Sequence, residues 1–272
     1  MDGVENLKSQ RILHYPGSKW SMTDWIIDNM PDHQTYLEPF FGSGAVFFNK
    51  KPATLETIND LDGDIVNLFR VIRECPGELA KLVHWTPYSR EEYYASYETG
   101  GGELEQARRF LVRCWMARGA RSSSRNGWRH IIDHNGPRPV KQWNDVPEKI
   151  LSITNRLKGV QIEQQPAIQL IKRYKRPEVL IYADPPYVLE TRHGRIYKHE
   201  MQEEDHIELL DVLDEHPGPV ILSGYAHPLY DNRLSHWERE TKIVTAEAAQ
   251  HRTEVLWINP VASKEIKRLY LF

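Results

Sequence analysis

Five consecutive apolar residues, Val179–Ala183, run directly into Asp184-Pro185-Pro186, and this abrupt stop constrains the fold more than any other feature of the chain. Two successive prolines lack backbone donors and clash with a continuing helix or central strand, so the chain must leave its element there. The run reads as a short buried strand, and Pro219–Ser223 repeats the type. Tyr36-Leu37-Glu38-Pro39 reads as another short strand, followed by a Gly-rich turn and a helix over Ala45–Lys50. Thr54–Asn59 alternates like a strand. Asp64–Cys75 has helical spacing at Ile65, Leu68, Phe69 and Ile72, and Pro76-Gly77 punctuates it. Gln202–Glu215 is an amphipathic helix. Ile243–Thr245, Glu254–Asn259 and Ile266–Phe272 are expected as further strands, the last two as a hairpin. Strands alternating with helices and closing on an antiparallel pair indicate an α/β fold, mostly parallel with an antiparallel edge strand.

The alternation breaks between about Lys81 and Tyr174. Ser89–Tyr97, Leu104–Ala117 and Pro147–Leu157 have helical spacing, and Arg118–Val140 is a Ser-, Gly-, Pro- and Arg-rich loop. The expected organisation is therefore one domain from 1–80 and 175–272, with a mostly helical insert at 81–174. At 272 residues and 40% hydrophobic content, the chain affords one large core with a smaller insert. No apolar run is long enough to span a membrane, and the N-terminus lacks a signal-peptide layout, so a cytoplasmic setting is expected. Cys75 and Cys114 have neither disulfide nor metal-ligand spacing, and the histidines show no zinc pattern, so no metal is expected. A net charge of −3 argues against nucleic acid, but its distribution argues for it. From Gln106 to Lys141 arginines recur and Asp133 is the only acid.

Four motifs carry chemistry. Asp184-Pro185-Pro186-Tyr187 lies beyond the carboxyl end of a strand, where ligands of open α/β sheets bind. The Asp184 carboxylate and the Pro185 carbonyl offer two acceptors for a planar amine. Pro185 and Pro186 hold those acceptors rigid, and Tyr187 offers a ring for a base. In Glu38-Pro39-Phe40-Phe41-Gly42-Ser43-Gly44-Ala45, glycines permit close backbone approach ahead of a helix N-terminus. Phe47 stands where a dinucleotide fingerprint needs its third glycine, which disfavours a phosphate cradle and a nicotinamide-dependent oxidoreductase. Asp60 follows the second strand sixteen to eighteen residues after those glycines. A carboxylate there commonly holds ribose hydroxyls, whereas Asp62 and Asp64 read as helix caps. In Tyr15-Pro16-Gly17-Ser18-Lys19-Trp20, the lysine is suited to a carboxylate and the tyrosine to a ring.

Taken in this order, the four elements resemble the Dam-like, alpha-group (D12 class) DNA N6-adenine methyltransferases over nearly the whole chain. Glu254–Pro260 also looks like the family's late strand. Tyr15 stands where some relatives have Trp, Pro16 and Ser18 vary the turn, and about Trp85 to Tyr174 matches only loosely. The resemblance implies a Rossmann-like S-adenosylmethionine-dependent methyltransferase sheet, with the insert as target-recognition domain. It implies S-adenosylmethionine contacts from Tyr15 and Lys19, walls from Phe40, Gly42 and Gly44, and a ribose contact from Asp60. Asp184 would face both cofactor and adenine, with Pro185, Pro186 and Tyr187 completing the adenine pocket. The expected reaction is methyl transfer to N6 of an adenine flipped out of double-stranded DNA. Arg118, Arg121, Arg125, Asn126, Trp128 and Arg129 form the candidate DNA-reading loop, Trp128 as a wedge into the gap left by the base. The alternatives are an RNA N6-adenine methyltransferase and a catalytically inactive DNA-binding protein on the same scaffold. Asp before Pro-Pro-Tyr favours DNA, and intact Asp184, Lys19 and Asp60 oppose decay.

Overall fold

The computed structural model describes residues 11–119, 122, 124–132, 138–192, 194–245 and 251–269. The chain divides into two compact units, one drawn from Asp24–Phe41, Lys51–Asp62 and Val160–Phe272, the other from Met1–Thr23, Gly42–Lys50 and Gly63–Gly159.

The first unit holds a seven-stranded sheet: β1 (Thr35–Glu38), β2 (Leu55–Asn59), β3 (Val160–Glu163), β4 (Val179–Ala183), β5 (Val220–Tyr225), β6 (Glu238–Thr245) and β7 (His251–Ile258). The spatial order is β3-β2-β1-β4-β5-β7-β6. The first five run parallel, and β7 is antiparallel to both β5 and β6. The expected α/β class with an antiparallel strand near one edge is therefore what forms. Every residue of β4 is buried, and Leu37, Ile181 and Leu222 pack with Leu170, Leu209 and Leu213 from flanking helices. Each such side chain contributes roughly 1.5–3 kcal/mol by leaving water. The chain order reverses between β1 and β4, so Glu38 and Asp184 emerge together at a topological switch point.

Two expectations are corrected here. Ile266–Phe272 is not a strand: Pro260–Leu269 is a helix, and 270–272 lie outside the described residues. Asn259 starts the helix, its Oδ1 accepting from the Ala262 amide at 2.9 Å and the Val220 amide at 3.0 Å. Pro260 then supplies a preset φ at the first helical position. The hairpin is β6–β7, whose outer strand β6 reads ERETKIVT and is defended by charge. Asp62, directly ahead of the helix Gly63–Glu74, binds Lys198, and Asp64 in its first turn pairs with Arg113.

The second unit is helical. Gly63–Glu74 packs on Glu103–Met116 and Val146–Leu157, burying Leu68, Phe69, Ile72, Leu111 and Ile150. Pro76 opens a further helix, Pro76–His84, where the sequence suggested only punctuation. The longest stretch of this unit runs from Gly63 to Gly159, and the helix Gly63–Glu74 spends its apolar face on other helices. Residues after Gly159 leave it, since β3 pairs with β2.

Candidate active site

In the sheet unit, Asp184 is placed by the end of β4 and oriented by its neighbour strand. Ser223 on β5 is 2% exposed and donates to Asp184 Oδ1 at 2.8 Å. The Tyr182 hydroxyl lies 3.1 Å from Ser223 Oγ. Burial, then the charge of Asp184, pushes the Tyr182 phenol well up, so it stays protonated. Ser223 has one hydroxyl hydrogen and donates it to Asp184, so Tyr182 donates to Ser223. Tyr187 is 7% exposed and donates to Glu254 Oε2 at 2.8 Å, while Tyr225 meets its ring edge-on at 4.5 Å. Tyr187 is thus a fixed wall, and the half-buried Tyr225 presents a second ring, held by Arg252 at 3.1 Å. Sequence reasoning missed Ser223, Tyr225 and Glu254. Their one visible signal is a polar or aromatic residue within a strand, Ser223 and Tyr225 on β5 and Glu254 on β7.

At the end of β1, Tyr36 donates to the buried Glu38 at 2.7 Å. The turn that follows is fixed by Asn59, whose Nδ2 donates to the carbonyls of Pro39 at 2.9 Å and Gln165 at 3.0 Å. Phe40 is half-buried against the sheet core. Past β2, Asp60 Oδ1 accepts from the Asp62 amide at 2.9 Å, an Asx-type turn that holds the carboxylate at the strand end.

In the helical unit, Tyr15 covers Gly42. Gly42 has φ +51°, and a Cβ there would meet the Tyr15 ring at 3.4 Å. Gly44 has φ +66° and opens the helix Ala45–Asn49. Ser43 ties the two segments through Ser18 at 2.9 Å and Trp20 at 3.2 Å. Lys19 is buried and donates to the Gly17 carbonyl at 2.7 Å. These residues fit a small zwitterionic nucleoside cofactor: a buried ammonium suited to a carboxylate, a ring, and a glycine against which that ring packs closely. Gly42→Ala is expected to cost about 1–2 kcal/mol of stability through its left-handed φ and to weaken S-adenosylmethionine binding at least about tenfold. Isothermal titration of the variant checks it, and unchanged affinity would remove Gly42 from the cofactor residues.

The loop after Met116 closes as a short antiparallel pair. Arg118 donates to the Gly127 carbonyl and Arg129 to the Met116 carbonyl, each at 2.7 Å, and Ala117 bridges Trp128. Tyr93 donates to the Asn126 carbonyl at 2.6 Å and Tyr88 to the Arg129 carbonyl at 2.7 Å. Arg118 and Arg125 are exposed, the latter stacked 4.3 Å over Tyr94, while Arg129 and Asn126 are half-buried. Trp128 is half-buried, with Arg90 4.9 Å over its face, His130 stacked at 5.6 Å and Tyr88 at 5.9 Å. Arg121 lies outside the described residues. The basic run is narrower than its sequence, because Arg108 and Arg109 pair with Glu105 and Arg113 with Asp64. No group of His, Cys, Asp or Glu among the described residues has metal-site geometry, and none of the described helices is long and apolar enough to cross a membrane.

Residues 15–251 match the D12 class N6 adenine-specific DNA methyltransferases. The Type II methyltransferase M1.LlaDCHI of Lactococcus lactis subsp. cremoris is 28% identical over 267 residues, covering 82% of this chain and 85% of that protein. The DNA adenine methylase of Haemophilus influenzae is 35% identical over 68 residues, 25% of this chain and 23% of that one. Among solved structures, an rRNA methylase from Streptococcus thermophilus overlays with a TM-score of 0.38 at 6% identity, covering 88% of this chain and 93% of that one.

Proposed function

The chain belongs to the D12 class of N6 adenine-specific DNA methyltransferases, and from that premise we propose that Asp184 and the Pro185 carbonyl grip the N6 amine of a flipped-out adenine in duplex DNA. The observation that carries this reading is the buried Tyr182–Ser223–Asp184 chain at the switch point of the sheet. S-adenosylmethionine, when bound, supplies an activated methyl on a sulfonium sulfur. Tyr15, Lys19, Phe40, Gly42, Gly44 and Asp60 are the residues assigned to it, Lys19 toward a carboxylate and Asp60 toward ribose hydroxyls.

The amine of adenine is a weak nucleophile because its lone pair is delocalised into the ring. Two acceptors on its hydrogens favour the pyramidal nitrogen that attacks, and they act as preorganised electrostatics. Asp184 also offers the departing N6 proton an acceptor. Pro186 keeps the tetrapeptide rigid, and Tyr187 bounds the base. Since Ser223 already engages Asp184 Oδ1, the carboxylate is aimed before substrate arrives.

Arg118, Arg125, Asn126 and Arg129 are assigned to DNA, with Arg121 of the same loop, and Trp128 supports them through its stack. Arg125→Ala and Trp128→Ala proteins are expected to keep S-adenosylmethionine affinity while DNA affinity falls about 10–100-fold, Trp128→Ala by loosening the loop. Filter binding at fixed salt measures this, and unchanged DNA affinity in both removes the loop from the DNA surface. Tritiated methyl transfer to duplex DNA and to RNA side by side tests the substrate. N6-methyladenine in RNA alone would overturn the reading. A role in restriction-modification, as the Type II relative's name suggests, rests on finding a cognate nuclease.

A further inference from the structure

The segment that follows Tyr187 crosses the sheet unit's ligand-facing edge and is fastened at both ends. Near β4, Arg192 Nε donates to the Tyr187 carbonyl at 2.8 Å. Its guanidinium forks onto Glu200, with Nη1 to Oε1 at 2.9 Å and Nη2 to Oε2. Glu200 Oε1 also accepts the amides of Ile196 at 2.8 Å and Tyr197 at 3.0 Å. The side chains of this pair are 4% and 6% exposed, so it is a buried salt bridge. Near β2, Lys198 donates to Asp62 Oδ1 at 3.0 Å, two residues from Asp60. β1 lies between β2 and β4, so the segment's two anchors flank it in the sheet order. The Tyr197 ring lies under the Arg192 guanidinium at 5.3 Å, and its phenol is pushed up by desolvation and then by the charge of Asp184. A buried ion pair contributes little net stability against an apolar replacement, and one held by further bonds to Tyr187, Gly194, Ile196 and Tyr197 defines a geometry.

We infer that Arg192 and Glu200 are positioning residues for methyl transfer: their buried pair pins the carbonyl end of Asp184-Pro185-Pro186-Tyr187 and orders the backbone at Ile196 and Tyr197 that follows it. This rests on the reading of Asp184 as the residue that grips the adenine amine. Neither side chain touches the reacting atoms. Arg192 holds the backbone that carries the second acceptor, and Glu200 holds the backbone that carries Tyr197.

The test compares Arg192→Ala, Arg192→Lys and Glu200→Gln with the parent protein in steady-state methylation of duplex DNA. It is paired with amide hydrogen exchange of the cofactor-free protein. Arg192→Ala is expected to lower kcat about 20–100-fold with both KM values within about threefold, since a misplacement near 1 Å costs about that much. Arg192→Lys, which keeps the charge but loses the fork, should recover part of kcat, and Glu200→Gln should lose about three- to tenfold. Exchange at Ile196 and Tyr197 should quicken in Arg192→Ala while the strands stay unchanged. A kcat within twofold of the parent, or unchanged exchange in this segment, overturns the inference. So does a parallel fall of kcat, cofactor affinity and melting temperature, which marks ordinary structural support. Should Arg192→Ala fail to fold, Glu200→Gln decides by the same criteria. A parent protein that puts no methyl on DNA adenine would refute the functional reading instead, and the exchange measurement would still decide the clamp.

Discussion

Asp184→Asn is expected to lower kcat for methyl transfer by about three orders of magnitude, near 4 kcal/mol of transition-state stabilisation. Asparagine keeps the shape but replaces one acceptor oxygen with a donor amide, which opposes a donor amine and removes the negative charge. Single-turnover methylation measures the loss. DNA affinity should stay within a few fold if, as proposed, the loop arginines rather than Asp184 hold the phosphates. Ser223→Ala should follow the same direction with a smaller effect, about tenfold, because a hydrogen bond to a charged group contributes about 1.5–3 kcal/mol. It removes the 2.8 Å bond to Asp184 and leaves the carboxylate in place. If Asp184→Asn retains more than a tenth of the parent kcat, the two-acceptor grip is not the source of catalysis.

The second large effect is on stability in acid. His206 is 1% exposed in the first turn of the helix Glu203–Asp214, with Nδ1 2.8 Å from the Tyr230 hydroxyl. Burial, then Asp184, pushes the Tyr230 phenol up, so that hydroxyl remains a donor and Nδ1 accepts. The proton therefore sits on Nε2, which is buried and has no hydrogen-bond partner among the described residues. Burial lowers the His206 pKa to about 4; Arg192 and His227 push the same way, and Asp205 and Glu200 oppose them. With the folded value below the unfolded 6.5, the neutral ring's contribution is complete above pH 6.5 and is lost as pH falls toward 4. The loss reaches on the order of 3 kcal/mol. Urea midpoints at pH 7.5 and 4.5 should converge when His206→Gln is compared with the parent. His14, lowered to about 4 mainly by burial, accounts for part of the remaining slope. Identical pH slopes in parent and variant would refute the assignment.

Much of the fold was legible because its signals are local. The sterics of Pro185 and Pro186, the apolar runs of β4 and β5, and the spacing of Leu68, Phe69 and Ile72 need no partner to be read. The opposite case is Ile266–Phe272, whose apolar and aromatic residues favour a strand locally. The Asn259 cap and Pro260 outweigh that preference, and the cap is tied to the amide of Val220, distant in sequence.

By itself the sequence determined where chain elements stop, which acceptors stand on Asp184 and Pro185, and the order of the ligand-facing motifs, since each follows from bonds and sterics between near neighbours. Only the tertiary structure decided that Ser223 aims Asp184, that Asn59 sets the turn after β1, that Arg192 pairs with Glu200 and holds the Tyr187 carbonyl, and that Arg90 lies over Trp128. Those partners are set by strand order and helix packing. A side chain's chemistry is written in its own residue type, whereas its partner is chosen by the burial of the whole core.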